Sequence, residues 1–403
     1  MLSLLGVLVP LQARAATQPE LEARVQQMAE QLAALQAELA QMKVQPVSQP
    51  VSEPTRGPEF FGYGEVNVSS PRKNSAATVA DVGRFVFGIG YRFDDRTRLV
   101  TELEIEHAIS SADDPGEVEV EQVYVERDLG SGVFARAGLF LIPMGLLNET
   151  HEPTRYYGVF RNAVETSIIP TTWREGGVAL QGHSGSGLRW DVGLTTGFDL
   201  SKWDAASSEG AEEPLGSIHQ ELALARAAQV SGFAALNYTG VPGLRIGASL
   251  FTGGAAHKQP GLGSARVTLW DAHASWTARN WDLAALYSRG AISNTAAINR
   301  TLIGNPTLIP GAFYGWYAQA AYRAPLGGAS SIAPFLRYER VNTGSSYAEI
   351  GVGLTPDSLR AQQNFVGGVN WTIADGVVLK ADYVDVAHGS GADRYDIGLG
   401  YQF

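Results

Sequence analysis

From residue 59 to the C-terminus, apolar and polar side chains alternate with a period of two, the signature of strands whose two faces meet different surroundings. The pattern predicts strands over 59–68, 83–93, 97–109, 117–128, 132–141, 175–183, 187–199, 228–239, 243–252, 265–278, 280–289, 312–323, 331–341, 362–373, 376–387 and 392–403. In the second of these, Phe85, Phe87, Ile89, Tyr91 and Phe93 share one side, and Arg84, Val86, Gly88, Gly90 and Arg92 share the other. In the third, Leu99, Thr101, Leu103 and Ile105 oppose Arg98, Glu102, Glu104 and Glu106. A face carrying that many charges cannot be a packed core, because unpaired buried charges are too costly. It must line water while the other face meets an apolar medium. In EVEVEQVYVERDL, Val118 and Val120 lie on one face and Val123 and Val125 on the other, so a bulge is expected there.

The connections sort themselves. Short turns alternate with longer segments at 69–82, 110–116, 142–174, 200–227, 253–264, 290–311 and 342–361, as they do in a barrel with one short-turn rim and one long-loop rim. Only the last hairpin, near Gly389, breaks that rule. Together these features predict an all-β transmembrane barrel of about sixteen antiparallel strands over 59–403. Phe403 would end the strand that closes the barrel on the first and leaves no edge.

The first 58 residues follow other periods. Leu21, Val25, Met28, Leu32, Leu35, Leu39 and Met42 recur at steps of four and three, which predicts an α-helical coiled coil in 16–45. A single amphipathic helix docked on the rest of the chain is the alternative, and the seam leaves dimer or trimer open. Prolines at 46, 50, 54 and 58 mark 46–58 as a linker. Residues 1–15 hold an apolar run ending in Ala13-Arg14-Ala15, a signal-peptide pattern that places the coiled coil in the periplasm. This signal lacks an N-terminal Lys or Arg, so the translation start could lie upstream.

Composition narrows the function. The chain has 46 Gly and no Cys among 403 residues, which excludes disulfides, thiol catalysis and zinc–thiolate sites. A formal charge of −11 and the lack of any basic cluster argue against nucleic acid as a partner. No pattern calls for a cofactor.

Tyr395, Ile397, Leu399, Tyr401 and Phe403 resemble the C-terminal assembly signal of bacterial outer-membrane barrels. The stretch GLFLIPMGLLNETHEPTRYYGVFRNAVETSIIPTTWREGGVAL, residues 138–180, resembles the corresponding region of the phosphate-selective porin O and P family. The resemblance implies a homotrimeric sixteen-stranded porin in the outer membrane, embedded in its lipid and folded by the barrel-assembly machinery. It further implies passive diffusion of small hydrophilic solutes, anions such as phosphate among them. By the same resemblance the loop 142–174 folds into the lumen as a constriction, with Glu149, Glu152, Arg155, Arg161 and Arg174 as its charged residues. Arg84, Arg92, Arg98, Arg136, Arg189 and Lys380 are the matching pore-lining cations. The inward face also carries Glu102, Glu104, Glu106, Asp191, Asp382 and Asp396, a departure from a purely basic ladder.

Three alternatives stay open. One is a general or cation-preferring porin. Another is a barrel enzyme, for which His183 beside Ser184 lacks a third partner. The last is a coiled-coil tether to the cell wall with a closed barrel. Asp113, Asp114, Glu117, Glu119 and Glu121 form an acidic run that reads either as a site for calcium or lipid-bridging cations near the rim or as a solvated face. The segment HQELALAR, 219–226, reads either as a loop helix or as the lead-in to the eighth strand.

Overall fold

The computed structural model describes residues 57–109, 111, 115–389 and 391–403, together with the isolated positions Pro19, Gln26, Gln27 and Glu30. The signal peptide, the coiled-coil seam, nearly all of the proline linker and the Asp113-Asp114 pair lie outside the described residues. No helix among the described residues is long and apolar enough to cross a membrane, which says nothing about crossing by strands.

The strands are β1 (Gly57–Pro71), β2 (Val79–Arg92), β3 (Thr97–Glu106), β4 (Val118–Gly130), β5 (Val133–Leu141), β6 (Arg174–His183), β7 (Leu188–Thr195) and β8 (Ser231–Tyr238). They continue as β9 (Leu244–Gly254), β10 (Arg266–Ala278), β11 (Trp281–Ser293), β12 (Ala312–Tyr322, extended by Ala324–Gly327), β13 (Ser330–Ser346), β14 (Gln362–Ala374), β15 (Val377–His388) and β16 (Arg394–Gln402). The two pieces of β12 lie end to end against β13, so the ladder has sixteen staves. Every stave pairs antiparallel with its sequence neighbours, and β1 pairs with β16 from Tyr63↔Gln402 to Pro71↔Arg394. Phe403 completes the seam: its N–H donates to the Gly62 carbonyl at 2.9 Å and its own carbonyl accepts from the Gly62 N–H at 3.2 Å.

Faces fall as the alternation requires. Phe85, Ile89, Tyr91, Leu103, Val123, Leu194, Leu336, Phe365 and Ile397 are exposed on the outside, while Arg84, Glu102, Glu104, Asp191, Lys380, Asp382 and Asp396 are buried inside. An outer surface of exposed aliphatics and aromatics around a closed ladder is a transmembrane barrel surface. The expected bulge lies in β4, where the register with β3 shifts between Glu102↔Gln122 and Leu103↔Val120. Glu121 is the extra residue, and it is fully buried.

The structure corrects three expectations. β1 and β2 run further than their alternation suggested, so the first long-rim connection is the short segment 72–78, which holds a single 3-10 turn. Residues 219–226 are neither helix nor strand: Glu221, Leu222 and Leu224 adopt positive φ, and β8 starts only at Ser231. The interior, finally, is not polar throughout. Phe233, Phe251, Leu269, Leu286, Phe313 and Tyr317 point inward from β8–β12 and are buried together with Ile142, Met144, Val164, Ile168, Ile169 and Trp173 of the long loop and its end. In that half both strand faces are apolar, one toward lipid and one toward the loop, as in sheets covered on both sides.

Candidate channel constriction

Residues 142–173, between β5 and β6, fold inside the barrel in two differently held parts. The first is clamped to the apolar wall. Asn148 joins the two ends of the loop: its Nδ2 donates to the carbonyls of Ile142 at 2.7 Å and Trp173 at 2.8 Å, and its Oδ1 accepts from the Trp173 N–H at 2.7 Å. Glu165, itself buried, accepts from the N–H groups of Leu146 and Leu147 at 2.6 and 2.7 Å and from Asn162 Nδ2 and Tyr317 Oη at 2.9 and 3.0 Å. Four donors satisfy one carboxylate, which is how a buried charge is tolerated. Gly145, at φ +72, passes so near Glu165 that a Cβ would run into its carboxylate. Trp173 packs on Phe198 and Phe251, with ring centroids at 5.0 and 4.5 Å.

The second part, 150–160, crosses to the charged wall of β1, β2, β4 and β13–β16. Arg84 donates to the His151 carbonyl at 2.5 Å, Thr154 to Gln402 at 2.6 Å, and Tyr156 Oη to Glu65 at 2.8 Å. The N–H groups of Gly158 and Val159 donate to Asn370 at 3.1 Å and Asp382 at 2.6 Å. Arg337 donates to the Tyr157 carbonyl at 2.8 Å, and Tyr157 Oη bonds Asp282. Side chains drawn from seven staves thus fix a segment with almost no regular structure of its own.

Two cavities, of about 1010 and 430 Å³, lie in the lumen beside the loop, and their walls share Tyr156 and Arg337. The larger opens on the short-turn side, past Asp375, Gly376 and Phe403; the smaller lies toward the long-loop side, beside Asp81 and His107. Arg155 is exposed in the larger cavity and makes no ion pair among the described residues. Arg245 shares that wall and, among the described residues, bonds only the neutral Asn237, at 2.9 Å. In the smaller cavity Arg161 bonds only Thr172 Oγ1 among the described residues, at 2.9 Å. Burial, then the neighbouring Arg84, push its guanidinium pKa down. Lys380, expected to line the pore, lines neither cavity: its buried Nζ sits 3.6 Å above the centroid of the Tyr156 ring and has no hydrogen-bond partner among the described residues. Burial first, and then the Glu65 carboxylate, raise the Tyr156 phenol well above its ordinary value, so it stays a neutral donor.

Of the expected constriction residues, Arg155 and Arg161 face the cavities, whereas Glu149, Glu152 and Arg174 line neither. Glu149 pairs with Arg189 at 2.7 Å and lies 3.9 Å from Arg136. Arg174 is buried against Glu119 and Glu221. Among the expected pore-lining cations, Arg84 faces the smaller cavity and pairs with Glu65 at 3.1 Å. Arg98 and Arg136 share Glu126 at 2.5 and 2.7 Å. Arg92, opposite Arg98 at the short-turn end of β2, makes no ion pair among the described residues. The assembly-signal residues Tyr395, Ile397, Leu399 and Phe403 are exposed on the outside, and Tyr401 is half-buried.

Sequence reasoning missed Tyr156, Arg245 and Arg337. Arg245 and Arg337 are single polar residues on inward strand faces and Tyr156 is one polar residue of the loop, and only the path of the loop singles them out. A further signal was available in β9 and β10, where Leu250 beside Phe251 and Leu269 beside Trp270 make both faces apolar at that level of the wall.

No known protein-family profile matches the chain. It is 26% identical over 338 residues, 82% of this chain and 76% of the other, to an uncharacterized protein of Aquifex aeolicus. Among solved structures it is similar to Salmonella typhi OmpF, crystallised with daunomycin, at a TM-score of 0.60 and 14% identity over 86% of this chain and 98% of that one. The Acinetobacter baumannii outer-membrane channel DcaP gives 0.54 at 12% identity over 87% and 99% of the two chains. An anion-selective porin from Comamonas acidovorans gives 0.51 at 13% identity over 87% and 100%. At these identities the likeness is one of fold: the closed sixteen-stranded barrel of outer-membrane porins.

Proposed function

We propose that the chain is a bacterial outer-membrane porin, working as a homotrimer, that passes small hydrophilic solutes by passive diffusion and favours anions, inorganic phosphate among them. The observation that supports this reading is the set of cavity-lining cations that make no ion pair among the described residues: Arg155 and Arg245 in the larger cavity and Arg161 in the smaller. Uncompensated cations at a low-dielectric narrowing attract anions more strongly than they would in bulk water. The reading includes export by residues 1–15, a periplasmic coiled coil in 16–45 and recognition of the C-terminal strand by the barrel-assembly machinery.

A cation-preferring pore is the second reading. Glu104 and Glu106 line the smaller cavity, and neither carries an ion pair among the described residues. An enzymatic role has less support: the Asp271–His273 pair, at 2.6 Å, is sealed beneath the loop, and the Asp81–His107 pair beside the smaller cavity, at 2.7 Å, has no hydroxyl nucleophile bonded to it among the described residues. Flux assays on liposomes holding the purified trimer discriminate the two pores. Phosphate efflux faster than that of equally sized cations supports the anion channel, and the reverse order supports the cation channel.

A further inference from the structure

We infer that Glu102, Glu121 and His151, with Tyr63 beside them, form a binding site for a divalent transition-metal ion such as zinc, which fastens the lumen loop to the barrel wall. Their donor atoms, one from each residue, lie within 4.8 Å of one another, and all three side chains are buried. The chemistry is that of a zinc site, with one imidazole nitrogen and two carboxylates and no thiolate.

The histidine is oriented as a ligand. Its Nδ1 lies 2.9 Å from the Asn148 carbonyl, an acceptor only, so Nδ1 carries the proton. In the neutral ring the Nε2 lone pair then faces Glu121 Oε1 at 2.7 Å, two acceptors directed at each other. Tyr63 Oη, 2.7 Å from Nε2 and 3.1 Å from Glu121 Oε2, has one proton for both. A ring that gives its far N–H to a backbone carbonyl is the usual outer-shell arrangement of a metal-binding histidine.

Charge around the cluster is also unbalanced. Glu104, on the same inward face as Glu102, is 2% exposed, makes no hydrogen bond or ion pair among the described residues, and lies close enough to repel Glu121. Glu152, next to His151, has a buried Oε2 without a partner and repels Glu102. Arg84, the cation at hand, is already paired with Glu65 at 3.1 Å and bonded to the His151 carbonyl. Buried carboxylates in excess of their cations are expensive, and a dication supplies what is missing. Glu121 owes its inward direction to the β4 bulge, a device that re-aims side chains at functional positions. The site joins β1, β3 and β4 to the loop, so a bound ion would shorten the excursions of the segment that carries Arg155 and Tyr156.

The test is isothermal titration of zinc chloride into the folded, chelator-stripped full-length protein in detergent. The expected result is one zinc per chain, with affinity falling at least about tenfold in His151→Gln and in Glu121→Gln, the loss typical even of an outer-shell partner. Glu349→Gln, at an exposed loop carboxylate, should bind as the parent does. A parent that takes up no zinc, or ligand variants that bind like it, would overturn the assignment in favour of an imidazolium–carboxylate pair. Should the variants fail to fold, zinc-edge X-ray absorption on the parent decides: an imidazole with oxygens at about 2.0–2.2 Å supports the site, and a shell of oxygens alone contradicts it.

Discussion

The ammonium of Lys380 rests 3.6 Å above the ring centroid of Tyr156, so that a wall strand and the lumen loop meet in one cation–π contact at a loop residue that lines both cavities. Tyr156 is held in turn by Glu65 at 2.8 Å and by Asn370, which donates to its carbonyl at 3.0 Å. Replacing Lys380 with Met removes a desolvated positive charge and keeps most of its volume. The zero-current potential under a salt gradient should therefore move toward cations while single-channel conductance changes less than twofold.

The loop crossing depends on a few charge-assisted bonds. Asp382→Asn weakens the bond from the Val159 N–H at 2.6 Å, and such bonds contribute about 1.5–3 kcal/mol each. Single-channel records should show larger openings with more flicker, and the barrel should melt within a few degrees of the parent. Unchanged records would mean that Gly158–Asn370 and Tyr156–Glu65 hold the segment without it.

Glu165 organises the other half. Glu165→Ala strands the N–H groups of Leu146 and Leu147 and frees Tyr317 Oη, each a buried donor costing about 1–3 kcal/mol to leave unpaired. Limited proteolysis should cut within 142–173 in this variant and spare the parent, with strand content by circular dichroism preserved in both.

The outer face offers a control on membrane embedding. Leu336, 72% exposed on β13, neighbours the inward Arg337. Leu336→Arg should destabilise the barrel in lipid by about 2–4 kcal/mol if the position sits near the bilayer midplane, measured by denaturant-induced unfolding from vesicles. An effect near zero would remove Leu336 from the lipid-facing belt.

Most of the barrel was legible because a strand writes its two faces into adjacent residues. Arg84 beside Phe85 and Glu102 beside Leu103 needed no partner to be placed, and the phase change from Val120 to Val123 located the bulge to within two residues of Glu121. The lumen was less legible. Whether Arg84, Arg136 and Arg189 are free or paired depends on Glu65, Glu126 and Glu149, the first two across the ladder and the third in the loop. The apolar half hid for a related reason: Phe251 and Leu269 face inward, but nothing local to them shows that a loop starting more than a hundred residues earlier covers them.

The central claim, a water-filled anion channel, is tested most directly by planar-bilayer recording of the purified protein under a potassium chloride gradient, with phosphate then added. The account predicts stepwise conductance, a zero-current potential displaced toward the chloride equilibrium value, and a phosphate-dependent fall in current that weakens when Arg155 and Arg161 are replaced. Silence from correctly folded protein would contradict the channel itself, and a potential displaced toward potassium would contradict its anion preference.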